Sequence, residues 1–249
     1  MTPEKFKQYA DQGYSKIPLM KTILADLETP LSAYMKLANG PYSYLFESVQ
    51  GGENWGRYSI IGLPCNEVIK ITGNNIRWES NGRLTNSLSS DAPLDWVRQY
   101  ASTFNIPDID GLPRFSGGLV GYFGYETIHY IEPKVAENSQ QNKKEDPIGS
   151  PDILVMVSEE VLIFDNVNNQ IMIVTHVDPT LETAYQDGLS RLEELSLQLN
   201  TTEIRSTFGQ SQSPAIDESG FVSGFTQEGF QEAVKTVKDY IVEGDVMQV

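Results

Sequence analysis

Residues 151–177, PDILVMVSEEVLIFDNVNNQIMIVTHV, decide the fold class. Two runs rich in Val, Ile and Leu, at 151–165 and 170–177, stand on either side of Asn-Val-Asn-Asn. Such runs, when bounded by turn-forming residues, are typical of strands that fold back on each other. The stretch therefore predicts a β-hairpin, with one long strand before the turn and one strand after it.

Outward from this hairpin, strands and helices follow one another without the regular alternation of parallel βαβ units. Further extended runs are predicted at 42–49, 57–62, 67–73, 75–80 and 115–126. Helices are predicted at 1–13, 29–40, 91–104 and 178–199. The predicted class is α+β, with antiparallel sheets and flanking helices.

Composition and charge exclude several classes of function. The 249 residues include 34 acidic and 18 basic ones, for a formal charge of −16. This balance repels a phosphate backbone, so no nucleic-acid partner is predicted. A single cysteine, Cys65, cannot form an internal disulfide and fits a reducing compartment. The N-terminus lacks the pattern of a signal peptide, and no run of about 18 apolar residues occurs. We therefore predict a soluble, cytoplasmic chain without a membrane span.

The last part of the chain predicts a second structural unit. Residues 200–223 are rich in Ser, Thr, Gln and Gly, as in a surface linker. An amphipathic helix is then predicted, with Thr226 as its N-cap and Gly244 as its end. Its apolar residues recur at steps of three and four, and they are Phe230, Ala233, Val234, Val237 and Ile241. The residues after Gly244, DVMQV, alternate like the opening of a strand.

Residue types and spacing alone reveal no catalytic motif. His129 and His176 have no ligand partners at metal-binding spacing, so both are interpreted as structural or surface residues and no zinc site is predicted. The glycines of 115–126 match neither a phosphate-binding loop nor a dinucleotide fingerprint. They are interpreted as leaving room where a ring or another backbone crosses the strand. No pair of carboxylates can be singled out as general acid and base.

The segment around Ser48 is the most unusual part of the chain. In a regular strand over 42–49, alternation places Ser48 on the face of three aromatic residues and Glu47 on the opposite face. A hydroxyl on an aromatic face needs a partner, either a small polar ligand with an aromatic body or an ordinary backbone carbonyl. Arg57 could form a surface ion pair with Glu47. At this level both alternatives for Ser48 remain open.

Three stretches taken together are similar to component I of anthranilate synthase. They are LFESVQGGENWGRYSIIG at 45–62, FSGGLVGYFGYE at 115–126 and FQEAVKTVKDYIVEGDVMQV at 230–249. Their order and spacing resemble the N-terminal portion of that large subunit, over essentially the whole chain. The pair Glu47-Ser48 favours the anthranilate enzyme over the related aminodeoxychorismate, isochorismate and salicylate synthases, which tend to lack or alter this pair.

The resemblance implies a carbon–oxygen lyase that converts chorismate and ammonia to anthranilate and pyruvate in tryptophan biosynthesis. It implies Mg²⁺ as cofactor and a separate glutamine amidotransferase subunit as the source of ammonia. The chorismate contacts and the magnesium ligands are expected beyond residue 249. On this basis the domains are a regulatory domain at 1–199, which also docks the partner subunit, a linker at 200–223, and at 224–249 the start of a truncated chorismate-binding domain. No catalytic residue is expected within the chain, which alone should be inactive.

The resemblance also implies that the N-terminal portion senses L-tryptophan and mediates feedback inhibition. Carried over residue by residue, it assigns Glu47, Ser48 and Arg57 to the tryptophan pocket, together with Ser59. An amino-acid zwitterion needs an acceptor for its ammonium group and donors for its carboxylate, and these side chains can supply both. Because Glu47 and Ser48 point to opposite faces of a regular strand, both reach one ligand only if the strand ends or bulges there.

Three other interpretations remain open. The chain could belong to component I of aminodeoxychorismate synthase, in the folate pathway, which differs in its product. It could be a non-catalytic amino-acid-binding module without a catalytic half. It could also be a structural adaptor for the amidotransferase subunit, which would form the complex without any response to tryptophan.

Overall fold

The computed structural model describes residues 1–47, 56–132, 134–136, 146, 148–204 and 220–248. The described residues up to 204 form antiparallel sheets with helices on their outer faces, so the predicted α+β class is confirmed. The chain divides into two compact units, residues 1–204 and residues 205–249. Among the described residues, no helix is both long and apolar enough to cross a membrane.

Two five-stranded sheets lie in the first unit, and every pair of neighbouring strands is antiparallel. In order across the first sheet, the strands are β1 (Ile17–Leu24), β10 (Gln170–Val177), β9 (Glu160–Asp165), β3 (Tyr58–Gly62) and β2 (Tyr44–Phe46). In order across the second sheet, the strands are β6 (Arg83–Ser89), β5 (Asn75–Ser80), β4 (Glu67–Thr72), β8 (Ile153–Ser158) and β7 (Gly118–Phe123).

The apolar run at 151–165 passes from one sheet to the other. β8 belongs to the second sheet and β9 to the first, and they are separated by Glu159 alone. The prediction of one long strand is therefore wrong. Both strands bury residues on consecutive positions, and the residues that separate the two apolar runs, Ser158, Glu159 and Glu160, include no glycine, proline or asparagine that would signal a turn. The predicted hairpin of β9 and β10 is confirmed by their antiparallel pairing.

Helices cover both outer faces of the paired sheets. They are α1 (Pro3–Asp11), α2 (Pro30–Ala33) with a π-helical continuation at Tyr34–Ala38, α3 (Pro93–Ser102), a 3-10 helix at Tyr125–Tyr130, and α4 (Ala184–Thr201). Threonine before proline begins two of them, because the hydroxyls of Thr2 and Thr29 accept backbone N–H groups of the first turn.

The core of the first unit has three layers of buried side chains. The helix-side cluster joins the first sheet to the helices, and its largest members are Phe6, Ile17, Leu19, Ile61, Leu162, Phe164, Ile171, Ile173, Leu192, Leu195 and Leu199. The inter-sheet cluster joins the two sheets and consists of Tyr44, Val68, Val120, Met156, Val161, Ile163, Met172 and Val174. A third cluster packs α3 on the second sheet through Ile69, Ile71, Ile76, Val97, Ile153 and Val155.

Gly117, directly before β7, and Gly121, within β7, confirm that glycine leaves room here for a ring or another backbone. A Cβ on Gly117 would lie 2.6 Å from Cε1 of the His176 ring, and one on Gly121 would lie 1.9 Å from the carbonyl oxygen of Leu154. A side chain at either position would therefore collide with a ring or with the backbone of the neighbouring strand.

The second unit contains helix α5 (Gln227–Glu243), with the predicted cap and end. The Thr226 hydroxyl accepts the backbone N–H of Gly229 at 3.1 Å, and Gly244 ends the helix in the left-handed region at φ 83°. Residues 245–248 form no strand, so the predicted strand opening is wrong. Alternation alone does not make a strand, because its backbone groups need a hydrogen-bonding neighbour. The predicted linker at 200–223 overlaps the end of α4 at Asn200 and Thr201, and its residues 205–219 lie outside the described residues.

Candidate functional site

Two of the residues assigned to the tryptophan pocket, Glu47 and Arg57, lie at the end of β2 and at the beginning of β3. The two strands are antiparallel, with Phe46 opposite Ile60, so the end of one lies beside the start of the other. Glu47 directly follows β2 and is exposed, and Arg57 directly precedes β3. Ser48 lies outside the described residues. The fold therefore brings Glu47 and Arg57 to the same end of a strand pair.

The prediction of a regular strand over 42–49 is wrong. β2 covers only Tyr44–Phe46, and Tyr42 lies in a turn with a positive φ of 57°. Because the strand ends at Phe46, strict alternation no longer fixes the side on which Glu47 points. This is one of the two conditions under which Glu47 and Ser48 could reach a single ligand.

Arg57 pairs with Asp165 at the end of β9, and not with Glu47. Its Nη2 donates to Oδ2 of Asp165 at 2.9 Å, and its Nε lies 3.3 Å from the same oxygen. The guanidinium also packs over the ring of Tyr58, 4.8 Å from the ring centre. The suggested Glu47–Arg57 ion pair is therefore wrong. About half of the Arg57 side chain is still exposed, at 53%, so it remains reachable from solvent.

Asp165 ties the start of β3 to the turn between β9 and β10. It accepts the backbone N–H groups of Val167 and Asn168 at 3.1 and 3.2 Å, and the Asn168 side chain donates to it at 2.8 Å. Burial, the largest single influence, raises the pKa of Asp165, but the hydrogen bonds from Arg57, Asn168 and Val167 together outweigh it. The pKa of Asp165 consequently lies below its ordinary value.

Ser59 is placed differently from Glu47 and Arg57. It lies within β3 opposite Phe164 and is only 3% exposed. By alternation it shares a face with Ile61, which belongs to the helix-side cluster. The structure therefore does not bring Ser59 to the exposed end of β2 and β3, and its assignment to the pocket stays a prediction.

The side chain of Tyr44 joins the two sheets. The sequence predicted only that it lies on the aromatic face of its strand. Its hydroxyl hydrogen-bonds the Ser158 hydroxyl of β8 at 2.8 Å, and the residue is 8% exposed. Burial raises the pKa of Tyr44 to about 12, with the Ser158 hydrogen bond opposing the rise and Cys65 adding to it. The phenol therefore stays neutral at physiological pH and provides a fixed hydrogen bond between the sheets.

A polar cleft of about 590 Å³ opens beyond the other end of β3. Its walls come from the β3–β4 connection, the β8–β9 crossing, β10 and α4, and they include Cys65, Glu67, Glu159, Glu160, His176 and Arg191. Arg191 binds Glu160 through two hydrogen bonds of 2.7 and 2.9 Å, and Lys16 pairs with Glu159 at 2.7 Å. No motif along the chain indicated this cleft, because its walls come from segments far apart in sequence.

His176 is a buried structural histidine, as the sequence interpretation proposed. It is 7% exposed, and its Nδ1 lies 3.0 Å from the carbonyl oxygen of Glu159. A carbonyl oxygen only accepts, so Nδ1 carries the proton. Burial lowers the pKa of His176, although the hydrogen bond to Glu159 opposes the effect. Within the described part of the chain, Nε2 is a buried ring nitrogen without a hydrogen-bond partner.

Cys65 and the carboxylates offer little reactive chemistry. Burial raises the pKa of the Cys65 thiol to about 11, so it remains a protonated, weak nucleophile at neutral pH. Across the described residues, no group of three or more His, Cys, Asp or Glu side chains is arranged to hold a metal ion. Glu47 after β2 and Arg57 before β3 offer a carboxylate and a guanidinium to solvent. Such a pair suits the binding of a zwitterion more than bond-breaking chemistry.

Comparison with known proteins defines the class of this chain. A model of the chorismate-binding enzyme family matches residues 43–249, which is most of the chain. The chain therefore belongs to the chorismate-binding enzyme family. The match begins just before β2, so it includes most of the segment predicted to be regulatory.

Within this family the chain is similar to anthranilate synthase component 1 of several bacteria. It is 44% identical to that protein of Pseudomonas aeruginosa over 249 residues, which are 100% of this chain and 50% of the relative. It is 42% identical to that of Neisseria meningitidis serogroup B, over 100% of this chain and 49% of the relative. For Aquifex aeolicus the identity is 33%, over 96% of this chain and 47% of the relative.

These relatives confirm the resemblance drawn from the three sequence stretches. The chain spans about half the length of the curated relatives that it matches. Among solved structures, the crystal structure of anthranilate synthase component I from Streptococcus pneumoniae TIGR4 is similar, with 21% sequence identity and a TM-score of 0.48. That similarity covers 90% of this chain and 46% of the other. The α+β class of this chain follows from its own strand pairing and not from this similarity.

Proposed function

We propose that this chain is the N-terminal portion of an anthranilate synthase component I. The enzyme would convert chorismate and ammonia, derived from glutamine by an amidotransferase subunit, to anthranilate and pyruvate. The observation that carries the proposal is similarity along the whole chain, at 44% identity, to a protein with that name. The assignment of a regulatory domain to 1–199 and of the first part of a chorismate-binding domain to 224–249 belongs to the same proposal.

The proposed regulatory ligand is L-tryptophan, bound beside the end of β2. Glu47 would accept hydrogen bonds from its ammonium group, and Arg57 and Ser48 would donate to its carboxylate. Three features support this arrangement: Glu47 is exposed, half of the Arg57 side chain is exposed, and Asp165 holds the Arg57 guanidinium in place. Asp165 already forms an ion pair with Arg57 and neutralises part of its charge. Arg57 would therefore serve the ligand mainly as an oriented hydrogen-bond donor.

The described residues do not form a group of carboxylates and histidines fit to hold a divalent cation. The ligands of Mg²⁺ are proposed to lie beyond residue 249, in the part of the relatives that this chain does not cover.

Activity is tested by following anthranilate fluorescence from chorismate, ammonium salt and Mg²⁺. We expect product from the full-length enzyme and none from the 249-residue chain alone. Measurable anthranilate from the chain alone would contradict the placement of the active site. Formation of aminodeoxychorismate by the full-length enzyme would assign the protein to the folate pathway instead.

The tryptophan site is tested by Ser48→Phe in the full-length enzyme. A bulky ring should fill the pocket and raise the tryptophan concentration for half-inhibition, about tenfold or more if one good hydrogen bond and the packing are lost. Inhibition is measured relative to the uninhibited rate of the same variant. Ser43→Phe, five residues earlier and directly before β2, serves as the positional control. Equal inhibition of Ser48→Phe and the unchanged enzyme would remove Ser48 from the site.

A further inference from the structure

Each five-stranded sheet of the first unit has two edge strands, and three of these four edges carry features that oppose further pairing. β1 contains Pro18, which lacks a backbone N–H group, and Lys21. β2 is only three residues long. β6 begins with Arg83 and pairs with β5 through a register shift. Proline, charge, short length and bulges are the usual means by which a free edge avoids pairing with another strand.

The fourth edge, β7, has none of these features. Its six residues, GLVGYF, include no proline and no charged side chain, and they pair with β8 from Gly118 to Phe123 without a bulge. Among the described residues no strand lies on the other side of β7. About half of its backbone N–H and C=O groups therefore point away from β8, toward a side where the described part of the chain offers them no strand.

The end of β7 is also uncovered on both of its faces. Val120, near the middle of the strand, is 8% exposed and belongs to the inter-sheet cluster. By alternation Tyr122 lies on the same face and Phe123 on the opposite face, and these two side chains are 41% and 55% exposed. An uncharged strand end that exposes its edge and two large aromatic side chains is typical of a surface that another segment covers.

We propose that β7 is extended in the full-length enzyme by a strand from the chorismate-binding half beyond residue 249. The inference rests on the proposed function and deepens it, because it specifies which strand of the first half meets the second. The curated relatives are about twice as long as this chain, so a second half of similar size could supply the strand. The added strand would bind the outer N–H and C=O groups of β7, and its side chains would cover Tyr122 and Phe123.

Hydrogen–deuterium exchange of the full-length enzyme tests the pairing. In a strand bonded on one side only, about half of the backbone amides exchange quickly, whereas a strand between two neighbours has nearly all of them protected. We expect protection nearly throughout residues 118–123, and a fast-exchanging half in residues 83–89 of β6. Fast exchange of about half of the amides in both strands would overturn the proposal.

A matched pair of lysine substitutions tests whether the side chains of β7 are covered. Phe123→Lys and Leu84→Lys change residues of similar exposure, 55% and 59%, on β7 and β6. In the full-length enzyme a lysine at 123 must be buried or must displace the added strand, so the melting temperature should fall by about 3 °C or more. Leu84→Lys leaves the new side chain in solvent and should shift it by less than about 1 °C. Equal shifts would contradict the proposal.

Photo-cross-linking identifies the segment that covers β7. Tyr122→benzoylphenylalanine in the full-length enzyme should form an intramolecular cross-link, which mass spectrometry of the digested protein should locate after residue 249. Leu84→benzoylphenylalanine is the control and should not form this cross-link. A cross-link from position 122 to residues 1–249, to a second copy of the chain or to an added amidotransferase subunit would overturn the choice of occupant.

The outcomes separate this inference from the proposed function, which is tested by anthranilate formation. An enzyme that makes anthranilate but exchanges the outer amides of β7 quickly would overturn only the strand addition. An enzyme in which β7 is protected and cross-linked beyond residue 249, but which makes no anthranilate, would support the strand addition and overturn the proposed activity.

Discussion

Single buried polar groups in this chain hold together segments that are distant in sequence. Asp165 joins the residue before β3 to the β9–β10 turn, and Tyr44 joins β2 to β8 through Ser158. His176 acts similarly, because its Nδ1 binds the carbonyl of Glu159, the residue at which the chain passes between the sheets. Each of these groups is buried, so its protonation state matters for folding.

The buried His176 predicts a dependence of stability on pH. Its pKa in the folded chain is lowered from the ordinary value of about 6.5, so the unfolded chain binds more protons between the two values. The free energy of unfolding should therefore fall as pH decreases from about 6.5 through the folded pKa. Above about pH 6.5 the residue is neutral in both states and contributes no pH dependence.

Urea denaturation between pH 8 and pH 5 measures this effect. His176→Asn keeps a side-chain donor near the Glu159 carbonyl but cannot be protonated, so its loss of stability at low pH should be smaller than that of the unchanged chain. His129→Asn, in the 3-10 helix, is the control for the exchange of a histidine for asparagine as such. Identical pH profiles for the unchanged chain and His176→Asn would show that another group titrates.

At the scale of elements, α4 shows how one helix covers the first sheet. Leu192, Leu195 and Leu199 are at most 2% exposed and lie in the helix-side cluster. Gly188 permits close approach, because a Cβ there would come within 2.5 Å of Leu19 and 2.7 Å of Val177. The helix therefore rests directly on β1 and β10, which pair with each other at the edge of the sheet.

A matched pair of leucines in α4 tests this packing. Leu192→Ala removes a fully buried side chain and should lower the free energy of unfolding by about 2–5 kcal/mol, because a cavity remains. Leu197→Ala, in the same helix but 63% exposed, should change it by less than about 1 kcal/mol. Guanidinium denaturation followed by circular dichroism distinguishes the two, and equal losses would contradict the observed orientation of α4.

The whole molecule consists of two compact units joined by a segment of linker-like composition. The first unit, residues 1–204, contains all ten described strands, and the second, residues 205–249, contains α5. Apolar side chains of α5 are open to solvent, with Phe230 at 59% and Ile241 at 46% exposure. An amphipathic helix with an uncovered apolar stripe contributes little stability by itself.

Limited proteolysis tests the predicted boundary between the domains. Residues 200–223 are poor in core-forming side chains, so a protease of broad specificity should cut the chain first within this range. Mass spectrometry should then identify a resistant fragment that contains residues 1–199. An initial cut within residues 153–177, where β8, β9 and β10 lie buried, serves as the internal negative control and would contradict the boundary if observed.

Local patterns along the chain were sufficient to predict many elements. Thr226 and Gly244 correctly marked the ends of α5, and the asparagines between 165 and 170 correctly marked the hairpin turn. These signals act over a few residues through capping hydroxyls and turn conformations. The pair Glu47-Ser48 likewise pointed to a candidate site, although by resemblance and not by geometry.

Other features depended on contacts between distant segments. No glycine, proline or asparagine marks Glu159 as the crossing between two sheets, since only Ser158, Glu159 and Glu160 separate the two apolar runs. The partner of Arg57 is Asp165, 108 residues away, and the partner of Tyr44 is Ser158, 114 residues away. Capping and turn chemistry are local, so the sequence by itself determined the helices, the hairpin and the α+β class. Burial and hydrogen bonding between segments are non-local, so only the tertiary structure decided the assignment of strands to sheets, the cleft, and the contacts that hold β2 and β3.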